Sequence, residues 1–67
     1  MSTVARVSKI TAASPKGFQD AFEVGLKRAA KTIRGITGAE VISQKAKVDK
    51  GKIAEYRVTL EVTFVLD

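Results

Sequence analysis

The clearest pattern in the chain lies near its C-terminal end. Ala54, Tyr56, Val58, Leu60, Val62, Phe64 and Leu66 alternate with Glu55, Arg57, Thr59, Glu61 and Thr63. Strict period-two alternation over that length predicts a strand buried on one face only. Just before it, Asp49-Lys50-Gly51-Lys52 predicts a tight turn, because Gly51 takes a positive φ without a steric cost. A further strand is predicted from about Ala39 to Val48. Between Pro15 and about Gly35 the period becomes helical. Phe18, Phe22, Gly25, Leu26, Ala29, Ile33 and Ile36 recur in steps of three and four as one apolar stripe. Lys16, Asp20, Glu23, Lys27, Lys31 and Arg34 form the opposite stripe, with Glu23 and Lys27 in the favourable i, i+4 order. Ser14 and Pro15 predict the helix start, and Gly35 with Gly38 its stop. Val4 to Thr11, rich in β-branched residues, predicts a first strand. Its alternation is imperfect: Val4 and Ile10 share a parity with Arg6 and Ser8, and Val7 has the other.

The order is therefore β-α-β-β, an α+β fold in a single domain over residues 1–67. The hairpin is antiparallel, and with the closing strand in the middle the sheet order is 1-3-2, the outer strands parallel to each other and joined by the helix. The helix covers one face of the sheet. The second face and both edge strands stay open, which predicts self-association.

Composition sharpens this expectation. A chain of 67 residues buries only about 60% of the surface that it exposes when unfolded. Domains of this size are commonly reinforced by disulfides, a structural metal or oligomerisation. Cysteine and histidine are both absent, which excludes disulfides, Cys/His zinc sites, iron–sulfur ligation, thiol catalysis and a histidine base. No nucleophile–base pair, paired acids or glycine-rich phosphate loop is visible, so a non-enzymatic protein is expected. Twelve Lys and Arg against seven Asp and Glu give +5, a balance suited to anionic partners. The cations are spread, and acidic residues interrupt the charged helix stripe, so that stripe is read as a solvated face. Met1-Ser2-Thr3-Val4 lacks a signal-peptide start, and no apolar run approaches ~20 residues, so a cytoplasmic location is expected.

The residues resemble the dodecin family over nearly the whole chain. Ala13-Ser14-Pro15 followed by Phe18-Gln19-Asp20-Ala21 is similar to that family's helix start. Leu26 to Arg34 and Glu40-Val41 continue the match, and Gly51 to Leu66 resembles the family's closing strand, G-x-I-x-E-Y-Q-V-x-L-x-V-x-F-x-L. The resemblance implies a β-α-β-β subunit, a hollow homododecamer and a role in holding a small ligand, in many members a flavin.

It also implies where that ligand lies, and there the chain departs from the family. Flavin-binding members carry a tryptophan two residues ahead of the E-V pair, and symmetry-related copies of it sandwich the isoalloxazine ring. This chain has Gly38 there and no tryptophan at all. The family's glutamine in E-Y-Q-V, which hydrogen-bonds the flavin's pyrimidine edge, is Arg57. Stacking on an aromatic side chain is worth ~1–3 kcal/mol per ring. Losing it on both faces costs roughly 2–6 kcal/mol, or about 30-fold to more than 10⁴-fold in affinity. A guanidinium only donates, so it does not reproduce the amide's mixed edge. FMN, riboflavin and FAD are therefore disfavoured. In their place Arg57 suits a carboxylate or phosphate, or else pairs with Glu55, Glu61 or Glu40. A metal ion such as calcium at a subunit junction stays open, with no ligand spacing to identify it. The rival expectations are a flavin-binding dodecin of altered geometry, a basic βαββ module that binds nucleic acid, and an oligomer without any ligand.

Overall fold

The computed structural model describes residues 2–66. Its elements are strand β1 (Ala5–Ser14), helix α1 (Phe18–Ala30), strand β2 (Ile36–Asp49) and strand β3 (Lys52–Val65). The sheet order is β1-β3-β2, with both neighbours antiparallel to β3, as the sequence predicts. Both outer strands run longer than expected. β1 reaches Ser14 by pairing with Tyr56, and β2 begins at Ile36, opposite Phe64.

The core follows the alternation of β3. Val58, Leu60 and Val62 are completely buried, and the helix meets them with Ala21, Gly25 and Ala29, a stripe of small residues spaced by four. Ile10, Phe18, Phe22, Ile33, Ile36 and Ala39 pack around them. Ala21, absent from the predicted stripe, sits at its centre. The small stripe brings helix and sheet close together. A Cβ added at Gly25 would lie 2.9 Å from the Ala12 Cβ and 3.4 Å from a Leu60 methyl.

The helix is shorter at both ends than the predicted span from Pro15 to about Gly35. Ser14 does not cap it. The buried Ser14 hydroxyl accepts from the Lys16 N–H at 3.0 Å and donates to the Asp20 carboxylate at 2.5 Å. This closes a turn that uses up Pro15 and Lys16. The first helical bond runs from Ala21 N–H to the Gly17 carbonyl. Asp20, in the first turn, lies where the helix dipole favours a negative charge. At the other end Thr32 and Ile33 both donate to the Ala29 carbonyl, and the chain leaves the helix. Ile33 fills the core from that turn and Ile36 from the start of β2, so their helical spacing to Ala29 is coincidental.

The β2–β3 loop is the predicted two-residue turn. Lys50 and Gly51 both have positive φ, 53° and 75°, the mirror-image turn that matches strand twist. The β2–β3 ladder slips three times: extra residues of β2 sit between Ile36 and Gly38 and between Val41 and Ser43, and an extra residue of β3, Ala54, sits opposite the Lys47–Val48 step.

The molecule measures 53 × 19 × 13 Å with a radius of gyration of 13.9 Å, against ~11 Å for a compact chain of this length. Its 13-residue helix spans ~20 Å, whereas the 14-residue strands span ~46 Å. The far half of the hairpin has no cover, and Val48 and Ile53 near its tip are 62% and 50% exposed.

Leu60→Ala is expected to lower stability by about 2–5 kcal/mol, because its site is closed on all sides. For Gly25→Ala, alanine's helix preference of ~1 kcal/mol opposes an overpacking cost of about 1–3 kcal/mol. Ala12 cannot swing away, so a net loss near 1 kcal/mol is expected. Denaturant midpoints of the two variants against the parent check both values.

Candidate functional site

The face of the sheet turned away from the helix carries the polar half of β3. Cross-strand partners lie on the same face, so the register gives its rows. Lys9, Glu61 and Glu40 form one row across β1, β3 and β2. Thr11, Thr59 and Ser43 form the next, followed by Ala13, Arg57 and Lys45, with Glu55 opposite Lys47 beyond. The Thr11 and Thr59 hydroxyls are 3.1 Å apart and share a hydrogen bond.

Arg57 pairs with Glu55, its Nε donating to Oε2 at 2.7 Å. The side chains are 53% and 33% exposed. This is the pairing the sequence offered as the plain alternative to a ligand, and among the described residues it is the one ion pair. It occupies only the Nε–H, and an arginine has four further N–H groups on its terminal nitrogens. Glu23, expected opposite Lys27, instead accepts from the Gln19 amide at 2.8 Å.

Gly38 lies in β2 opposite Thr63. A Cβ there would find nothing within 4 Å, so neither backbone conformation nor space demands a glycine. Arg57 lies six residues further along β3 from Thr63, roughly 20 Å away. One chain therefore does not bring Gly38 and Arg57 together. A small ligand touching both positions requires two copies.

Beside Arg57 the structure adds two residues that the sequence reading left unassigned. Lys45, Lys47, Ala46 and Arg57 line an open cleft of about 330 Å³. Counting back from the Lys50-Gly51 turn without irregularities would pair Lys45 with Tyr56 and turn it toward the helix. The bulge between Lys47 and Val48 shifts the register by one and sets Lys45 against Arg57. A larger cavity of about 450 Å³ runs between β1 and α1, where Ile10 and Ala12 lie on the side of Gly25 and Ala29, with Arg28 among its lining residues.

The aromatic residues are occupied elsewhere. Phe18 and Tyr56 meet edge to face, with centroids 5.0 Å apart, and Phe22 packs on the core. Among the described residues no three carboxylates gather into a metal site, and no helix is long and apolar enough to cross a membrane.

Comparison with known proteins gives a consistent result. The Dodecin family model matches residues 4–67. A curated dodecin from Thermus thermophilus is 31% identical over 67 residues, covering 100% of this chain and 97% of its own. The solved dodecin from Streptomyces davaonensis is 33% identical, covers 100% of this chain and 98% of its own, and superposes with a TM-score of 0.93. A calcium dodecin from Mycobacterium tuberculosis, described as calcium-chelating with a novel calcium-binding site, is 36% identical, with coverage of 97% and 93% and a TM-score of 0.83.

The Arg57–Glu55 pair is exposed, so its contribution to stability is small, at most about 1 kcal/mol. Glu55→Gln is expected to shift the denaturant midpoint by no more than this amount. A double-mutant cycle with Arg57→Gln measures the coupling.

Proposed function

The chain belongs to the dodecin family, and we propose that it is a non-enzymatic, self-assembling ligand-binding protein whose flavin-stacking position is vacant and whose ligand is an anion held at Arg57. The observation that carries this reading is the pair of departures on one face of the sheet. Gly38 offers no ring to stack on and has open space around it, while Arg57 presents unused guanidinium donors where the family's glutamine would stand.

Self-assembly is supported by the uncovered hairpin and by the distance between Gly38 and Arg57, which makes any site that uses both positions a composite of copies. The assembly proposed is the family's hollow homododecamer. Twelve copies at +5 each carry +60, and bound anions relieve that repulsion. A calcium ion is the second reading, favoured by the calcium-chelating relative. Glu40 and Glu61 face each other in the register, but calcium takes 6–8 oxygen ligands, so a second copy would have to complete the site. The sheet face bears no aromatic side chain, which disfavours a sheet-type RNA reader.

The purified protein is expected to be colourless and, in native mass spectrometry, to run as a multiple of the subunit mass without flavin. Visible absorbance from a bound flavin would overturn this reading, and so would a folded monomer at micromolar concentration. The double variant Gly38→Trp with Arg57→Gln is expected to gain flavin affinity by about 30-fold or more, measured by quenching of flavin fluorescence.

A further inference from the structure

We infer that Lys45, Lys47 and Arg57 form a cradle for the dianionic phosphoryl group of a small phosphate monoester, and that Glu55 is a positioning residue that aims Arg57 into it. The inference rests on the reading of this face as an anion site and adds the ligand's class and the residues that hold it.

The argument begins with a cost. Cross-strand partners on one face stand ~5 Å apart at Cβ, and like charges placed there are destabilising. Lys45 nevertheless faces Arg57, and Lys47 follows on the same face of β2, opposite Glu55. Among the described residues neither lysine has a carboxylate partner. Three cations thus share one acid, a local excess of two positive charges. A phosphoryl dianion neutralises that excess, whereas a lone carboxylate halves it.

Geometry narrows the class further. Glu55 takes the Arg57 Nε–H at 2.7 Å and leaves both terminal nitrogens free as a fork. That fork matches two oxygens of a tetrahedral oxyanion. Lys45 and Lys47 supply compact charges on the cleft's other side, and the Thr59, Thr11 and Ser43 hydroxyls form the next row of the sheet. A cleft of about 330 Å³ is in the range that holds a whole small molecule, so a phosphate monoester fits it better than bare phosphate. The exposed, lysine-rich setting makes the affinity dependent on salt.

The test is calorimetric titration of the assembled protein with glycerol 3-phosphate and, separately, with inorganic phosphate, at low ionic strength and again at ~0.15 M salt. Saturable binding of the monoester, tighter than that of inorganic phosphate and weakened by salt, is expected. Arg57→Lys keeps the charge and removes the fork, and is expected to weaken binding about tenfold, near the value of one charge-assisted hydrogen bond. Lys45→Ala should weaken it similarly, and Lys27→Ala on the helix should leave it unchanged. Glu55→Ala separates aiming from bare charge. It adds a net positive charge, so a featureless basic surface would bind tighter, whereas a positioned Arg57 predicts weaker binding. Native mass spectra of each variant verify assembly. No saturable binding by a colourless, assembled protein would overturn the cradle and leave the anion reading standing. Arg57→Lys binding like the parent would also overturn the cradle. Tighter binding by Glu55→Ala would overturn the positioning role, and flavin uptake would overturn the underlying reading itself.

Discussion

The fold is governed by a mismatch of lengths. A helix of 13 residues rises ~20 Å, and it lies on strands that run more than twice as far. Where it covers β3, the side chains Val58, Leu60 and Val62 are completely dry. Beyond its ends the same sheet continues without a partner, and valine and isoleucine side chains remain half exposed. Lengthening the helix would not remedy this, because the Ser14–Asp20 turn at one end and the Ala29 carbonyl's double bond at the other fix its limits. In the proposed assembly the missing cover comes from other copies. The same geometry sets Gly38 and Arg57 roughly 20 Å apart on one face, so the proposed assembly and the proposed ligand site share a single cause.

The two faces of β3 carry independent tasks. Its inward residues and the small helix stripe of Ala21, Gly25 and Ala29 hold the fold. Its outward residues touch none of that packing. Because strand side chains alternate, Glu55, Arg57, Thr59, Glu61 and Thr63 are free to change chemistry without disturbing Val58, Leu60 or Val62. This is how a chain with only 33% identity to a solved dodecin superposes on it with a TM-score of 0.93.

Legibility in the sequence follows the same division. The inward set of β3, the sheet order and the two-residue turn were readable because period two and a positive-φ glycine are local signals. The helix limits were not, since Ile33 and Ile36 continue a helical spacing by coincidence and the Ser14 hydroxyl serves a turn instead of a cap. Gly38 and Arg57 stood out only against the family's pattern. Lys45 and Lys47 were hidden by backbone irregularity. Between Gly38 and the bulge at Val41–Ser43 the odd residues of β2 face inward, as Ala39 and Val41 do opposite Val62 and Leu60. After it the even residues face inward, as Gln44 and Ala46 do opposite Val58 and Tyr56. No residue pattern in β2 announces that change of side.

The bulges therefore have chemical consequences as well as geometric ones. Without the bulge at Val41–Ser43, Lys45 and Lys47 would share the inward parity of Ala39 and Val41 and would place two ammonium groups against the apolar face beneath the helix, at a substantial desolvation cost. With it, both emerge on the face turned away from the helix, and the irregularity between Lys47 and Val48 brings Lys45 level with Arg57. Extra residues in a strand increase local twist and re-aim side chains. Here they convert a run of alternating residues that would have conflicted with the core into a concentrated positive charge on the opposite surface. The Glu55–Arg57 contact then orients the one member of that cluster able to grip two oxygens at once.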